Sequence, residues 1–181
     1  MVKSGMDNCI WDHFFYMMVN QKRKFKDIRV REICEEANIH RSTFYRHFED
    51  KYQLLEFGLF ILWNDFFELD EREKFYAPFK TADDFYEKSE AEQLINKNQS
   101  DELFFETVNR FFLKQMTASF KAILKEDSQN KLPTDLMVKY VVGSIQALDE
   151  WSREQENVTS EALDCYYKTL VLDVLDLECS K

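Results

Sequence analysis

An all-α fold is what this sequence predicts, on three observations. Glycine and proline, the residues that punctuate turns and strands, number only 3 and 2 in 181 residues. Apolar residues recur at helical spacing, as at Ile10, Phe14, Met17 and Met18. No segment alternates apolar and polar residues as a half-buried strand would. Hydrophobic residues make up 45% of the chain, enough for a packed core and too many for wholesale disorder.

The elements follow in order. A first helix is expected over residues 6–20, closed by the basic loop "NQKRKFKD". A second reads "VREICEEA", residues 30–37, with Ile33 and Ala37 on one face. Asn38 follows, a residue that tolerates the left-handed conformation ending a helix, and Ile39 can plug the corner. The third is "RSTFYRHF", residues 41–48. Asp50 is a good N-cap for a fourth, which the pattern carries to Leu69. Ala77-Pro78 breaks the pattern, and Thr81 is expected to cap a fifth helix over 82–96. Ser100 is expected to cap a sixth, reaching Glu126, with Asp101 and Glu102 suiting its positive end. After the connector Lys131-Leu132-Pro133, a seventh spans 134–153 and an eighth 160–177, capped by Thr159 or Ser160.

Charge is unevenly placed. The formal net charge is −10, yet residues 1–51 hold 10 Lys and Arg against 8 Asp and Glu, net +2. The rest of the chain holds 14 against 26, net −12. A basic head can meet a polyanion that an acidic body repels, which orients the encounter. The apolar runs are too short and too interrupted to cross a bilayer. No cleavage site marks a signal peptide, so a cytoplasmic protein is expected. Cys9, Cys34, Cys165 and Cys179 show no CxxC spacing and read as free thiols, two or three of them buried.

The second and third helices are short and joined by "NIH", the spacing of a helix-turn-helix. At about 100° per residue, Phe44 and Phe48 share one face of the third helix, against Ile33, Ala37 and the first helix. Ser42 and Arg46 fall opposite, with Thr43 and Tyr45 beside them and His40 and Arg41 at the tip. That outward face carries no carboxylate, unusual for an exposed helix in so acidic a chain. It suits a duplex: arginine can grip guanine in the major groove, a threonine methyl can touch thymine, and Tyr45 and Lys51 suit phosphates. Arg29 and Arg31 open the second helix, whose backbone N–H groups also favour a phosphate.

"IRVREICEEANIHRSTFYRHFEDKYQLL", residues 28–55, resembles the DNA-binding domain of the TetR family of bacterial transcriptional repressors. The core Thr-Phe-Tyr-x-His-Phe, followed by Asp50-Lys51 and Leu54-Leu55, carries the likeness. The resemblance implies a three-helix DNA-binding domain, residues 1–51, and a helical ligand-binding and dimerisation domain, residues 52–181. By position it implies DNA contacts at Arg29, Arg31, Arg41, Ser42, Thr43, Tyr45, Arg46, His47 and Lys51. Three positions depart from the pattern. Asn38 replaces the turn glycine; Arg29 replaces the capping Ser or Thr of the second helix, so that cap is lost or taken over by Asp27; His40 replaces the capping Ser of the third. The segment "YVVGSIQALDEW", residues 140–151, is similar to the C-terminal domain of short Firmicutes-type members.

In the body, the last two helices are the expected dimer interface. Met137, Val141, Ser144, Ile145 and Leu148 mark one stripe, with Gly143 allowing close approach. Leu163, Tyr166, Tyr167, Leu170, Val171 and Val174 mark the other. Two such helices per subunit would make a four-helix bundle about a two-fold axis. The bland reading packs these stripes inside one subunit. A pocket for an unknown small-molecule effector is expected among Phe60, Trp63, Phe67, Phe104, Phe111, Phe112, Met116, Phe120 and Trp151, although with 17 Phe any one of them is more often core.

Enzyme motifs are absent: there is no GxGxxG, P-loop, HExxH or GxSxG. His13, His40 and His47 all lie in the head, and no metal or cofactor is expected. The reading is a dimeric, ligand-responsive regulator, a repressor on a palindromic operator. Its rivals are a co-regulator of the same fold acting through a protein partner, and an isolated helical ligand carrier.

Overall fold

The structure is a computed structural model, which describes residues 5–86, 90–98, 100–126 and 132–177. Among these there is no strand. The helices are α1 (Gly5–Val19), α2 (Val30–Glu36), α3 (Arg41–His47), α4 (Lys51–Leu62), α5 (Asn64–Phe67), α6 (Glu71–Tyr76), α7 (Pro78–Tyr86), α8 (Ala91–Lys97), α9 (Glu102–Glu126), α10 (Thr134–Ser152) and α11 (Ser160–Tyr167). A 3-10 turn, Phe25–Asp27, precedes α2, and a π-helical turn, Lys168–Leu172, extends α11.

The first three helices and the last two lie close to their expected places. The middle of the chain differs. The fourth helix ends at Leu62, because the chain turns at Trp63 (φ −103°, ψ 15°) and restarts at Asn64. Asn64 and Asp65 are residue types whose side chains compete with the helical backbone for hydrogen bonds. The expected fifth helix is two. α7 starts at Pro78, whose missing N–H costs nothing in a first turn. Thr81 does not cap it: its hydroxyl donates to the Glu73 carbonyl. α6, unread in the sequence, is capped by Asp70, whose carboxylate accepts from the N–H groups of Arg72 and Glu73. α9 is capped by Asp101 in place of Ser100, with Phe104 N–H donating to Oδ1 at 3.2 Å. Thr159 caps α11 as expected.

The chain divides into two compact units. Unit 1 comprises residues 1–65 and 88–111, and unit 2 residues 66–87 and 112–181. Ile10, Phe14, Met17 and Met18 of α1 are buried in unit 1, with Phe25, Ile33, Phe44, Leu54, Leu55 and Phe104. The Phe25 ring lies at the centre of its aromatic contacts, 6.0 Å from Phe14, 5.4 Å from Tyr52 and 6.1 Å from Phe104. Gly58 of α4 lets the Trp11 ring lie against the backbone: an added Cβ would stand 2.1 Å from it.

Unit 2 closes around Phe75, Phe120, Leu124, Met137, Val138, Val141, Ile145, Tyr167 and Val171. Asp164 of α11 ties α7 to this core. Its carboxylate accepts from Phe79 N–H at 3.0 Å and Lys80 N–H at 2.9 Å, satisfying donors that a helix start leaves open. Burial nevertheless raises the Asp164 pKa above the ordinary range. Cys34 is buried, Cys9 half-buried and Cys165 exposed, all three as free thiols. Cys179 lies outside the described residues.

Candidate nucleic-acid interface

The turn between α2 and α3 is built by Asn38. Its φ of 49° is left-handed, as the sequence led one to expect. That conformation turns Asn38 N–H onto the Glu35 carbonyl at 3.2 Å and Ile39 N–H onto the Cys34 carbonyl at 2.9 Å. These two bonds are a Schellman motif, which closes the open carbonyls of α2. The next helix then starts at Arg41, with a long cap bond: Ser42 N–H reaches His40 Nδ1 only at 3.4 Å. The same nitrogen meets Ser42 Oγ at 2.8 Å, so the serine hydroxyl is engaged at the tip.

Two phenylalanines hold α3 down. Phe44 is fully buried and Phe48 nearly so, their rings 5.9 Å apart, with Phe48 also 5.4 Å from Phe57. The opposite face is free. Arg41, Ser42, Tyr45 and Arg46 are exposed, Thr43 is half-buried, and Tyr45 keeps 50% of its surface. The Arg41 guanidinium lies 6.0 Å from the centre of the Tyr45 ring, one helical turn on. A cation and a phenol are thereby held side by side on a surface without acids.

The flanking candidates divide. Arg29 is the N-cap residue of α2, and Glu32 satisfies its N–H at 2.9 Å. That backbone bond, with Arg23 at 2.5 Å, holds the Glu32 carboxyl below the ordinary range. Arg31 pairs with Glu35 at 2.7 Å, both well exposed. Such a pair is worth little in water, so a phosphate can draw the guanidinium away. His47 is held by Asp7 at 2.7 Å.

Lys51 does not stand free for a phosphate. Its ammonium donates to the carbonyls of Phe25 at 2.7 Å, Ile28 at 2.9 Å and Lys26 at 3.2 Å, which uses all three of its protons. It also lies 4.5 Å from the centre of the Phe25 ring. Burial lowers its pKa, opposed by Asp101, Asp27 and Glu32. Lys51 therefore fixes the 3-10 turn before α2. From the other side Asp101, fully buried, accepts from Lys26 N–H at 2.9 Å. Sequence reasoning missed Asp101 because its partner is 75 residues away, and missed Asp7 because His47 is 40 residues away.

Of the nine expected pocket residues, Phe60, Trp63, Phe104 and Phe111 belong to unit 1, and Phe67, Phe112, Met116, Phe120 and Trp151 to unit 2. Phe104 packs behind the helix-turn-helix on Phe25, Phe120 meets Phe75 edge to face at 5.0 Å, and Trp151 is exposed against Tyr166. A cleft of about 310 Å³ opens on unit 1, lined by Asn8, Trp11, Asp12, Phe15, Ile61, Leu62 and Glu90, and none of the nine lines it.

The expected dimer stripes also need correction. Met137, Val141, Ile145, Leu163, Tyr167 and Val171 are buried within one subunit, while Ser144 and Leu148 are half-buried. Most of these residues belong to the inward faces that close unit 2. The exposed apolar face lies beside them. It comprises Leu136, Tyr140 and Trp151 on α10, with Tyr166, Leu170 and Val174 beyond. Tyr140 Oη donates to the Leu170 carbonyl at 3.0 Å, joining the two halves of this face. Of the original set Tyr166, Leu170 and Val174 lie on it, at 42%, 54% and 66% exposure.

An all-helical chain that pins a short acid-free helix on two phenylalanines, behind a Schellman turn, is a helix-turn-helix DNA-binding regulator. Residues 19–56, the stretch that holds the helix-turn-helix, match the family described as "Bacterial regulatory proteins, tetR family". The solved structure of a Clostridium perfringens "putative fatty acid metabolism regulator" is similar over 96% of this chain and 100% of that one, at 17% identity and a TM-score of 0.40. No curated protein matches the chain. No helix among the described residues is long and apolar enough to cross a membrane.

Proposed function

We propose that this protein is a cytoplasmic homodimeric repressor that binds a palindromic operator and is released by a small-molecule effector in its body. The functional division is the one expected from the sequence: residues 1–51 for DNA, residues 52–181 for effector and dimer. The outward face of α3 supports the reading most, with Arg41 and Tyr45 as its central pair and Thr43 and Arg46 beside them. Arg29 and Arg31 reach flanking phosphates. Lys51 acts through the turn it clamps. A regulator needs no catalytic group, and the carboxylates of the body serve as a solvated face.

A salt titration against duplex DNA tests this. Direct phosphate contact predicts an affinity loss of about a thousandfold between roughly 50 and 200 mM salt. Arg41→Ala with Tyr45→Ala is expected to weaken binding by roughly a hundredfold while leaving the melting temperature unchanged. Salt-independent binding, or full affinity in the double variant, would favour the co-regulator acting through a protein partner.

The dimer is placed on the exposed face of Tyr140, Trp151, Tyr166, Leu170 and Val174. Paired heads could then meet successive major grooves about 34–36 Å apart. Leu170→Asp buries a charge in that interface and leaves the subunit core untouched. Sedimentation should find the wild type at twice 21.9 kDa and the variant at one subunit mass. A variant that stays dimeric places the interface elsewhere.

A further inference from the structure

His47 and Asp7 meet where the end of α3 passes the start of α1. Nδ1 of the ring lies 2.7 Å from Asp7 Oδ1, with 21% and 17% of the two side chains exposed. An ionised carboxylate only accepts hydrogen bonds, so this contact assigns the Nδ1 proton to the bond with Asp7. The ring is fixed in orientation, and Nε2 becomes its remaining polar atom. His47 is the last residue of α3, whose Arg46 is exposed to the solvent in which a duplex would lie.

The geometry points to Asp7 as a positioning residue for DNA binding. It holds the His47 ring by Nδ1 so that Nε2 meets a backbone phosphate. This rests on the DNA-binding reading of α3 and adds a residue from α1 to it. A phosphate oxygen also only accepts, so Nε2 must carry a proton when it engages. The ring then donates to two acceptors, Asp7 on one side and phosphate on the other, and Asp7 sets its orientation. The same arrangement orients a metal-bound histidine from behind, where a carboxylate on the far nitrogen fixes the ring.

The inference carries a sign that a bystander carboxylate would not. An acid near the DNA face should repel phosphates, so removing it should tighten binding. If Asp7 positions His47, Asp7→Asn weakens binding instead. The measurement is fluorescence anisotropy with a mixed-sequence duplex of about 30 base pairs at low salt, since phosphate contacts do not depend on sequence. Wild type, Asp7→Asn, His47→Gln and the double variant are compared, with thermal melting of each. Asp7→Asn is expected to lose roughly tenfold in affinity with His47 present, and nothing further once His47 is glutamine. Nitrogen-15 spectra of the free protein should show Nδ1 of His47 protonated, and a mixture of tautomers in Asp7→Asn. Tighter or unchanged binding by Asp7→Asn overturns the inference, as does an equal loss in both His47 backgrounds, which would make Asp7 a support for α1 alone. A wild type without salt-sensitive duplex binding sinks the DNA reading and this one with it.

Discussion

Gly58→Ala should destabilise unit 1 by about 3 kcal/mol, an unusual result for a change that improves helix propensity. In an open helix interior, alanine is favoured over glycine by about 1 kcal/mol. Here the new Cβ would stand 2.1–2.2 Å from three atoms of the Trp11 ring, which is itself nearly fully buried. A rigid aromatic has no flexible end to move aside, so either the helices part or the ring leaves. Overpacking costs about 1–3 kcal/mol, occasionally more, and evicting a buried tryptophan costs about 3–5. The cheaper route sets the loss near 3 kcal/mol, a fall in melting temperature of roughly 10 °C. Trp11→Ala removes the obstacle. In that background Gly58→Ala should turn neutral or stabilising. A loss that persists without the ring would mean that glycine serves the α4 backbone and not Trp11.

This contact was not legible in the sequence. Gly58 stands in the apolar run "LLEFGLFILW" and offers only a local cue, whereas the reason for it lies 47 residues earlier in α1. The same division runs through the molecule. Asn38 could be read because a left-handed residue at a helix end is a local event, written in the residue itself. Phe44 and Phe48 could be read because a helix of known period fixes which face they share. The break at Trp63 could not, since nothing stronger than Asn64-Asp65 marks it. The dimer stripes failed for a different reason. α10 carries apolar residues on two neighbouring faces, and periodicity cannot say which of the two closes the subunit's own core. Packing against Phe75 and Phe120 decides that Met137, Val141 and Ile145 turn inward, and leaves Leu136 and Tyr140 outward. Lys51 was misread because a lysine beside a DNA-binding helix suits a phosphate, while three carbonyls of a turn 23 to 26 residues earlier already hold it.

That turn is the second place where a single side chain decides much. Asp101→Ala should cost unit 1 about 3–4 kcal/mol and loosen the approach to α2. The carboxylate is fully buried and serves two backbone donors at once: Phe104 N–H on Oδ1, which starts α9, and Lys26 N–H on Oδ2, which holds the 3-10 turn. Alanine leaves both donors without their acceptor, and each buried unpaired group costs about 1–3 kcal/mol. It also removes one of the acids that favour the charged form of Lys51, whose ammonium grips the same turn. Asp101→Asn is the informative control. Its single side-chain oxygen can serve one donor, while its amide must face the other. The order of stability should therefore be wild type, asparagine, alanine, with asparagine losing roughly half as much. Amide exchange locates the effect: Lys26 N–H should lose protection in Asp101→Ala while the α11 amides keep theirs. An alanine variant as stable as wild type would mean that water serves both donors, and the turn before α2 would then owe its shape to Lys51 alone.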